Sequence, residues 1–239
     1  MYFFQSKGDP MSNKQLPKSK LILMILIRTP LFFVMMIAMF FLPAGSFSYW
    51  HAWVYLAIIF VSMLAFLIYF LKNDPELLER RMRSKEKETE QRLIIAIMTV
   101  CFFFTFLVPG FDQRFGWSRV PVIMVIIADI VVLLGYGFVF LVLRENSYAS
   151  RVIEVEKDQE VISSGPYAIV RHPMYLGVAL MFLFTPLALG SFWALIPAVL
   201  MIFVLVPRIF NEEKVLQRDL DGYREYMQEV KYRLIPGIW

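Results

Sequence analysis

Hydrophobic and polar positions are sorted along this chain into long blocks rather than alternating residue by residue. Apolar stretches cover about 21–43, 50–71, 93–110 and 120–143, and two shorter ones cover 174–189 and 192–207. A helix needs about 20 apolar residues to cross ~30 Å of hydrocarbon, a length that these four stretches reach or approach. Taken as one helix, 174–207 would run ~51 Å at ~1.5 Å per residue, too long for a single crossing. Pro186 and Gly190-Ser191 offer a break, so the segment reads as a hairpin of two short helices. One bent or re-entrant segment is the alternative. The pattern predicts an all-α integral membrane protein with about six transmembrane helices, the last two forming the short hairpin.

Composition agrees. Of the 239 residues, 59% are hydrophobic and 18% charged, against a usual ~45–50% and ~25%. This excludes a disordered chain, a collagen-like chain and a disulfide scaffold. Cys101, the one cysteine, allows no intrachain disulfide and no multi-cysteine metal site, and reads as packing. No metal is expected. The first apolar stretch is too long for a cleaved signal peptide, and residues 1–20 are polar and read as loose.

Net charge is +4, which in a soluble protein would suggest nucleic acid. Here position decides. Of the 24 Lys and Arg residues, all but Arg114 and Arg119 fall in 1–28, 72–92, 144–173 or the tail from 208. Basic loops mark the cytoplasmic side. Both termini and both long loops are therefore expected there, in a multi-pass protein whose partner is the bilayer and not nucleic acid. Tyr49, Trp50, Trp53, Tyr55, Phe115 and Trp117 read as headgroup-level anchors on the other side. His51 among them carries no expected role.

The connecting segments predict three further elements. Residues 73–92 read as a short solvated helix, capped by Asp74 with Pro75 in its first turn. Val152, Val155, Val161 and Ile162 flank a Lys157-Asp158 turn and suggest a short β-hairpin. In 211–231, Leu216, Leu220, Tyr223, Met227 and Val230 recur at helical spacing, predicting one amphipathic helix that Pro236 and Gly237 follow. The chain divides into an N-terminal four-helix membrane region, 1–143, and a second region, 144–239.

Two polar clusters bracket the predicted hairpin. Tyr167, Arg171, His172 and Tyr175 precede it, and Arg208, Glu212 and Glu213 follow it. A hairpin returns its end to the face where it began, so the clusters can meet at one membrane boundary. Ionisable groups gathered there mark a functional-site hypothesis. Interfacial anchoring with snorkelling arginines is the alternative.

"GPYAIVRHPMYLG" (165–177) followed by "RIFNEEKVLQRDLDGYREYMQEVKYRLIP" (208–236) resembles the isoprenylcysteine carboxyl methyltransferase family and the related phospholipid N-methyltransferases. The resemblance covers roughly 144–239. It implies S-adenosylmethionine-dependent methyl transfer at the cytoplasmic membrane face to an amphiphilic or prenylated acceptor. Carried over by motif, the cofactor residues are Gln159, Glu160, Val161 and Ile162, then Tyr167, then His172, Pro173, Met174 and Tyr175, then Glu212 or Glu213. Arg208 and Glu212 take the catalytic places, with Arg208 a candidate for the acceptor's carboxylate. The family often carries His where this chain has Gln159. The acceptor class stays open between a carboxylate and a lipid amine. Some sterol reductases share the RHPxY segment, which leaves an NADPH-using membrane enzyme as the alternative.

Three residues outside these motifs enter the expectation. Asp129 lies mid-span in the fourth stretch, where a charge costs at least ~2.5 kcal/mol on insertion scales. It reads as protonated, hydrogen-bonded within the bundle or lining the acceptor site. Asn146 and Arg151, just upstream of the motif, are candidates for shaping the pocket.

Overall fold

The computed structural model describes residues 17–82, 89–150, 152–153, 155–156 and 158–239. The N-terminal segment to residue 16, the basic residues Arg83, Lys85 and Lys87, the pocket candidate Arg151 and the turn residue Lys157 lie outside them. Among the described residues the secondary structure is helical, and the protein is an all-α integral membrane protein. Its α-helices are α1 (Lys18–Ala44), α2 (Trp50–Asn73), α3 (Pro75–Met82), α4 (Thr89–Phe115), α5 (Val122–Glu145), α6 (Pro173–Ala188), α7 (Leu195–Asp219) and α8 (Tyr223–Glu229), with a 3-10 turn at Gly165–Ala168.

Five of these, α1, α2, α4, α5 and α7, are long and apolar enough to cross a membrane. The sixth apolar helix, α6, has 16 residues, about 24 Å at the α-helical rise. Large apolar side chains face outward along the bundle, among them Leu26, Val34, Val61, Leu134 and Phe203. That arrangement suits a solvent that is itself apolar and supplies no hydrogen bonds, because helices satisfy their backbone internally.

The hairpin is present, with a different second arm. It does not end near residue 207 but continues to Asp219. Pro207 lies inside it and removes one helical N–H without ending the helix. The single tail helix expected over 211–231 is therefore two helices. The chain breaks between Asp219 and Tyr223, where Gly222 takes φ +81°, a conformation that suits glycine. Helical spacing of apolar residues persists across that break because both pieces bury a face against the same loop. Leu216, Leu220, Tyr223, Tyr226, Met227 and Val230 pack with Val155 and Val161.

The expected β-hairpin is absent among the described residues. The described residues of 152–162 run without strand pairing, turning at Asp158, with the Gln159 N–H bonded to the Glu156 carbonyl. Val155 and Val161 pack with Tyr223 and Tyr226 of α8 instead of against a partner strand. The short helix in the first basic loop is α3, and Asp74 Oδ1 accepts the Leu77 N–H at 3.0 Å as its cap. It is not merely solvated. Leu77 is fully buried against Phe70, Val139 and Leu143.

Two constraints set the bundle. At the end away from the basic loops, buried Asp112 accepts hydrogen bonds from Ser118 Oγ (2.6 Å) and Ser191 Oγ (2.5 Å). This ties the α4–α5 connection to the α6–α7 turn. Across α5 and α6 the backbones approach closely. A Cβ on Gly177 would lie 2.6 Å from Val139 Cγ2, and one on Gly135 would lie 2.6 Å from Met181.

Overpacking of this kind costs about 1–3 kcal/mol. Gly177→Val is expected to lower the thermal midpoint in detergent clearly. Gly137→Ala, on a face with nothing within 4 Å, is expected to leave it unchanged or slightly raised.

Candidate functional site

The site lies where the loop 146–173 meets the basic end of α7. Pro173 opens α6 at a helix start, where its missing N–H costs nothing. His172 and Arg171 are thereby held just outside the helix. Their backbone N–H groups bond the carbonyls of Arg233 and Tyr232, both at 2.9 Å. The C-terminal segment thus lies directly against the RHPMY motif.

On α7, Arg208 and Glu212 are one turn apart on the same face. Arg208 is buried and donates from Nε to Tyr175 Oη at 2.9 Å. It also donates from Nη1 to Gln91 Oε1 at 3.2 Å. The Tyr175 hydroxyl in turn donates to Glu212 Oε2 at 2.5 Å. His172 Nδ1 stands 3.8 Å from Glu212 Oε1, and its Nε2 lies 3.3 Å from Glu213 Oε1. A continuous polar chain therefore runs from Gln91 through Arg208, Tyr175, Glu212 and His172 to Glu213.

These groups surround one cavity. Its lining includes Gln159, Glu160, Val161, Ile162, Tyr167, His172, Pro173, Met174, Tyr175, Arg208 and Glu212. The hairpin expected from the sequence joins 167–175 with 208–212, and the family resemblance adds 159–162. Asn146 also lines it and donates from Nδ2 to Tyr167 Oη at 3.1 Å. Burial pushes the Tyr167 phenol up to about 12, so the hydroxyl stays protonated at neutral pH. Gln159 bonds its own turn, with Oε1 accepting the Glu156 N–H at 2.9 Å.

Two expected residues stand elsewhere. Glu213 is 2% exposed and sits behind His172, outside the cavity lining. It accepts from Arg171 Nε at 2.8 Å and from Arg233 Nε at 2.9 Å. Arg171 also donates to the Val230 and Lys231 carbonyls. A buried carboxylate with this many charge-assisted donors is a structural anchor. Of the two candidate glutamates, then, only Glu212 faces the cavity. Asp129 lies in α5, 17 residues before Asn146 and so about 25 Å along the helix. It does not line the cavity, and its buried Oδ1 has no partner among the described residues.

The structure also adds residues. Tyr148, Leu216, Leu220, Tyr223 and Tyr226 line the cavity. Tyr226 fixes the 3-10 turn by donating to the Tyr167 carbonyl at 2.7 Å. The Tyr223 hydroxyl is buried with no partner among the described residues. In the sequence Tyr223 falls in the apolar stripe of the expected tail helix, and Tyr226 lies outside that stripe. Arg80, from α3, supports the opposite wall. It donates to the Ser147 carbonyl at 2.7 Å and lies 5.6 Å over the Tyr148 ring. A charged run in an exposed loop gave no sign of that role. Among the described residues no group of His, Cys, Asp and Glu is arranged to hold a metal.

Comparison with known families now bears on this geometry. Residues 123–221 match the family model described as phospholipid methyltransferase. This bears out the resemblance to membrane methyltransferases drawn from the motifs. Residues 1–112 match the family model described as EXPERA, the expanded EBP superfamily. Comparison with curated proteins gave no match. The first match contains every cavity residue named from the sequence, whereas Tyr223, Tyr226 and Arg233 lie beyond it.

Removing one member of a buried ionic cluster costs about 3–5 kcal/mol because the remaining charges are left uncompensated. Glu213→Ala is therefore expected to lower the thermal midpoint strongly. Glu212→Gln keeps an acceptor for Tyr175 and is expected to cost at most about 1 kcal/mol. Parallel thermal unfolding of the two variants checks this asymmetry.

Proposed function

We propose that this protein transfers the methyl group of S-adenosylmethionine to a membrane-embedded amphiphilic acceptor, with the cavity between 146–175 and 208–226 as the cofactor site. The observation that carries the reading is the convergence of His172, Tyr175, Arg208 and Glu212 on one cavity, inside a region that matches a methyltransferase family. The lining suits such a cofactor. Glu212 offers a carboxylate oxygen to an ammonium or a ribose hydroxyl. Tyr167, Tyr223 and Tyr226 offer ring faces, and the Tyr167 hydroxyl, which accepts from Asn146, keeps its own proton to donate.

When bound, the cofactor supplies an electrophilic methyl on a sulfonium, so the protein's own task is placement. Holding two reactants in line is worth effective molarities of ~10⁵ M or more in well-oriented systems. His172 and Tyr175 fix the orientation of Glu212 by the contacts described above. Arg208, held by Tyr175, presents a guanidinium suited to a carboxylate, and this favours a carboxylate acceptor of the isoprenylcysteine kind. Glu212 and the cavity tyrosines would hold the cofactor, whose sulfonium would supply the methyl carbon to the acceptor's nucleophile, keeping the electron pair of the broken carbon–sulfur bond as a neutral thioether. The family match equally suits a phospholipid amine as acceptor. In this reading the basic end of the bundle faces the cytoplasm and both termini lie there. Residues 144–239 form the methyl-transfer region and 1–143 its membrane scaffold.

A second reading, a sterol-reductase-like enzyme using NADPH, draws on the RHPMY segment and on the EXPERA match of 1–112. Calorimetry on purified protein separates the two. The methyltransferase reading expects saturable S-adenosylmethionine binding that Glu212→Gln weakens tenfold or more, and no stabilisation by NADPH. Stabilisation by NADPH alone, with no S-adenosylmethionine binding at millimolar concentration, sinks it.

A further inference from the structure

Asn146 follows the last turn of α5 and lines the cavity. Its side chain makes two hydrogen bonds of opposite polarity. Oδ1 accepts the Tyr148 backbone N–H at 3.0 Å, and Nδ2 donates to the Tyr167 hydroxyl oxygen at 3.1 Å. The first bond fixes the amide, because a flipped amide sets its NH2 against the Tyr148 N–H, donor against donor. That bond alone is an ordinary turn closure, which an aspartate makes equally well. The second needs an amide. A side chain that accepts locally and donates to Tyr167 at the same time is asparagine, and an ionised aspartate of the same shape fails the second task.

Tyr167 itself is placed by its backbone. Its N–H bonds the Ser164 carbonyl at 3.1 Å, and its carbonyl accepts from the Tyr226 hydroxyl at 2.7 Å. What remains to be set is the hydroxyl rotor. A phenolic O–H lies near the ring plane, with its proton on one side of the oxygen and a lone pair on the other. Asn146 donates to the lone-pair side, so the proton turns to the opposite side. Among the described residues that hydroxyl has no second hydrogen-bond partner, and Tyr167 lines the cavity. Burial keeps the phenol protonated at neutral pH. A donor whose direction is settled before a ligand arrives loses less freedom on binding than one that must first be turned.

We propose that Asn146 is a positioning residue for cofactor binding: by donating to the Tyr167 oxygen it turns the Tyr167 O–H into the cavity, where it donates to an acceptor atom of S-adenosylmethionine. The proposal rests on the methyltransferase reading and deepens it. The cofactor residues carried over by motif include Tyr167 and leave Asn146 out. Asn146 acts through Tyr167, and the two work as one unit.

The test exploits the polarity. Asn146→Asp keeps the size of the side chain and the oxygen for the Tyr148 N–H. It reverses the second bond, because the carboxylate takes the Tyr167 proton. Tyr167→Phe removes the donor outright. The full chain, purified in detergent, is titrated by calorimetry as wild type, each single variant and the double variant. The ligands are S-adenosylmethionine and S-adenosylhomocysteine. The second lacks the sulfonium charge, which separates hydrogen bonding from any pull of the introduced carboxylate on that charge. Each single variant is expected to weaken S-adenosylhomocysteine binding about fivefold or more, the worth of one hydrogen bond, with the ligand-free thermal midpoint unchanged. The double variant is expected to bind within about twofold of Tyr167→Phe alone, because residues acting as one unit are not additive. Additive losses overturn the proposal. So does wild-type affinity in Asn146→Asp, a loss confined to S-adenosylmethionine, or a loss that tracks a fall in the ligand-free thermal midpoint, which marks a structural role. A wild type that binds neither ligand overturns the methyltransferase reading, and the role of Asn146 with it.

Discussion

The Glu213 carboxylate holds the site together. Three cationic or donor side chains from two segments converge on it: Arg171 and His172 before α6, and Arg233 near the C-terminus. Charges buried at a membrane boundary persist only when paired and hydrogen-bonded. Their arrangement is correspondingly narrow. Arg171 spans the gap by also bonding the Val230 and Lys231 carbonyls, and the backbone pairing of 171–172 with 232–233 follows. One buried carboxylate thereby clamps the C-terminal segment onto the motif that carries His172 and Tyr175. Its neighbour Glu212 is left facing the cavity.

The bilayer supplies the second constraint. Helix α6 is short and α7 is long, joined by a turn that Gly190 enters with φ +72° and that Ser191 ties to Asp112. Because α7 is 25 residues long, its polar face emerges beyond the apolar section on the side where α6 begins. Arg208 and Glu212 therefore meet Tyr175 near the end of the apolar section. Small residues at Gly135 and Gly177 let α5 and α6 approach closely, as membrane helices commonly do. That contact brings Asn146, just beyond α5, to Tyr167.

The spans were legible because a hydrocarbon solvent forces long uniform apolar runs. The clusters 167–175 and 208–212 were legible because hairpin topology returns one to the face of the other, whereas 159–162 were legible only through the family resemblance. Other features were hidden for physical reasons. Glu212 and Glu213 are adjacent in sequence, and only their facing separates a cavity wall from an anchor. Tyr223 keeps helical spacing with Leu216 and Leu220 and so resembles packing. Pro207 looks like a helix end, yet a helix survives the loss of one N–H. Val155 and Val161 have strand character but find α8 to pack on rather than a partner strand. Gln91 and Arg80 act over long sequence separations, and a local pattern carries no trace of that. Asp129 drew attention as a mid-span charge, and the helix places it far from the cavity.

The proposed occupant of the cavity between the RHPMY motif and α7–α8 is S-adenosylmethionine. Photo-crosslinking of labelled cofactor to the purified protein, followed by peptide mapping, addresses it most directly. The predicted label falls within 146–175 or 208–226, and excess S-adenosylhomocysteine competes it away. Label confined to other segments, or label in the cavity displaced by NADPH and not by S-adenosylhomocysteine, contradicts the claim.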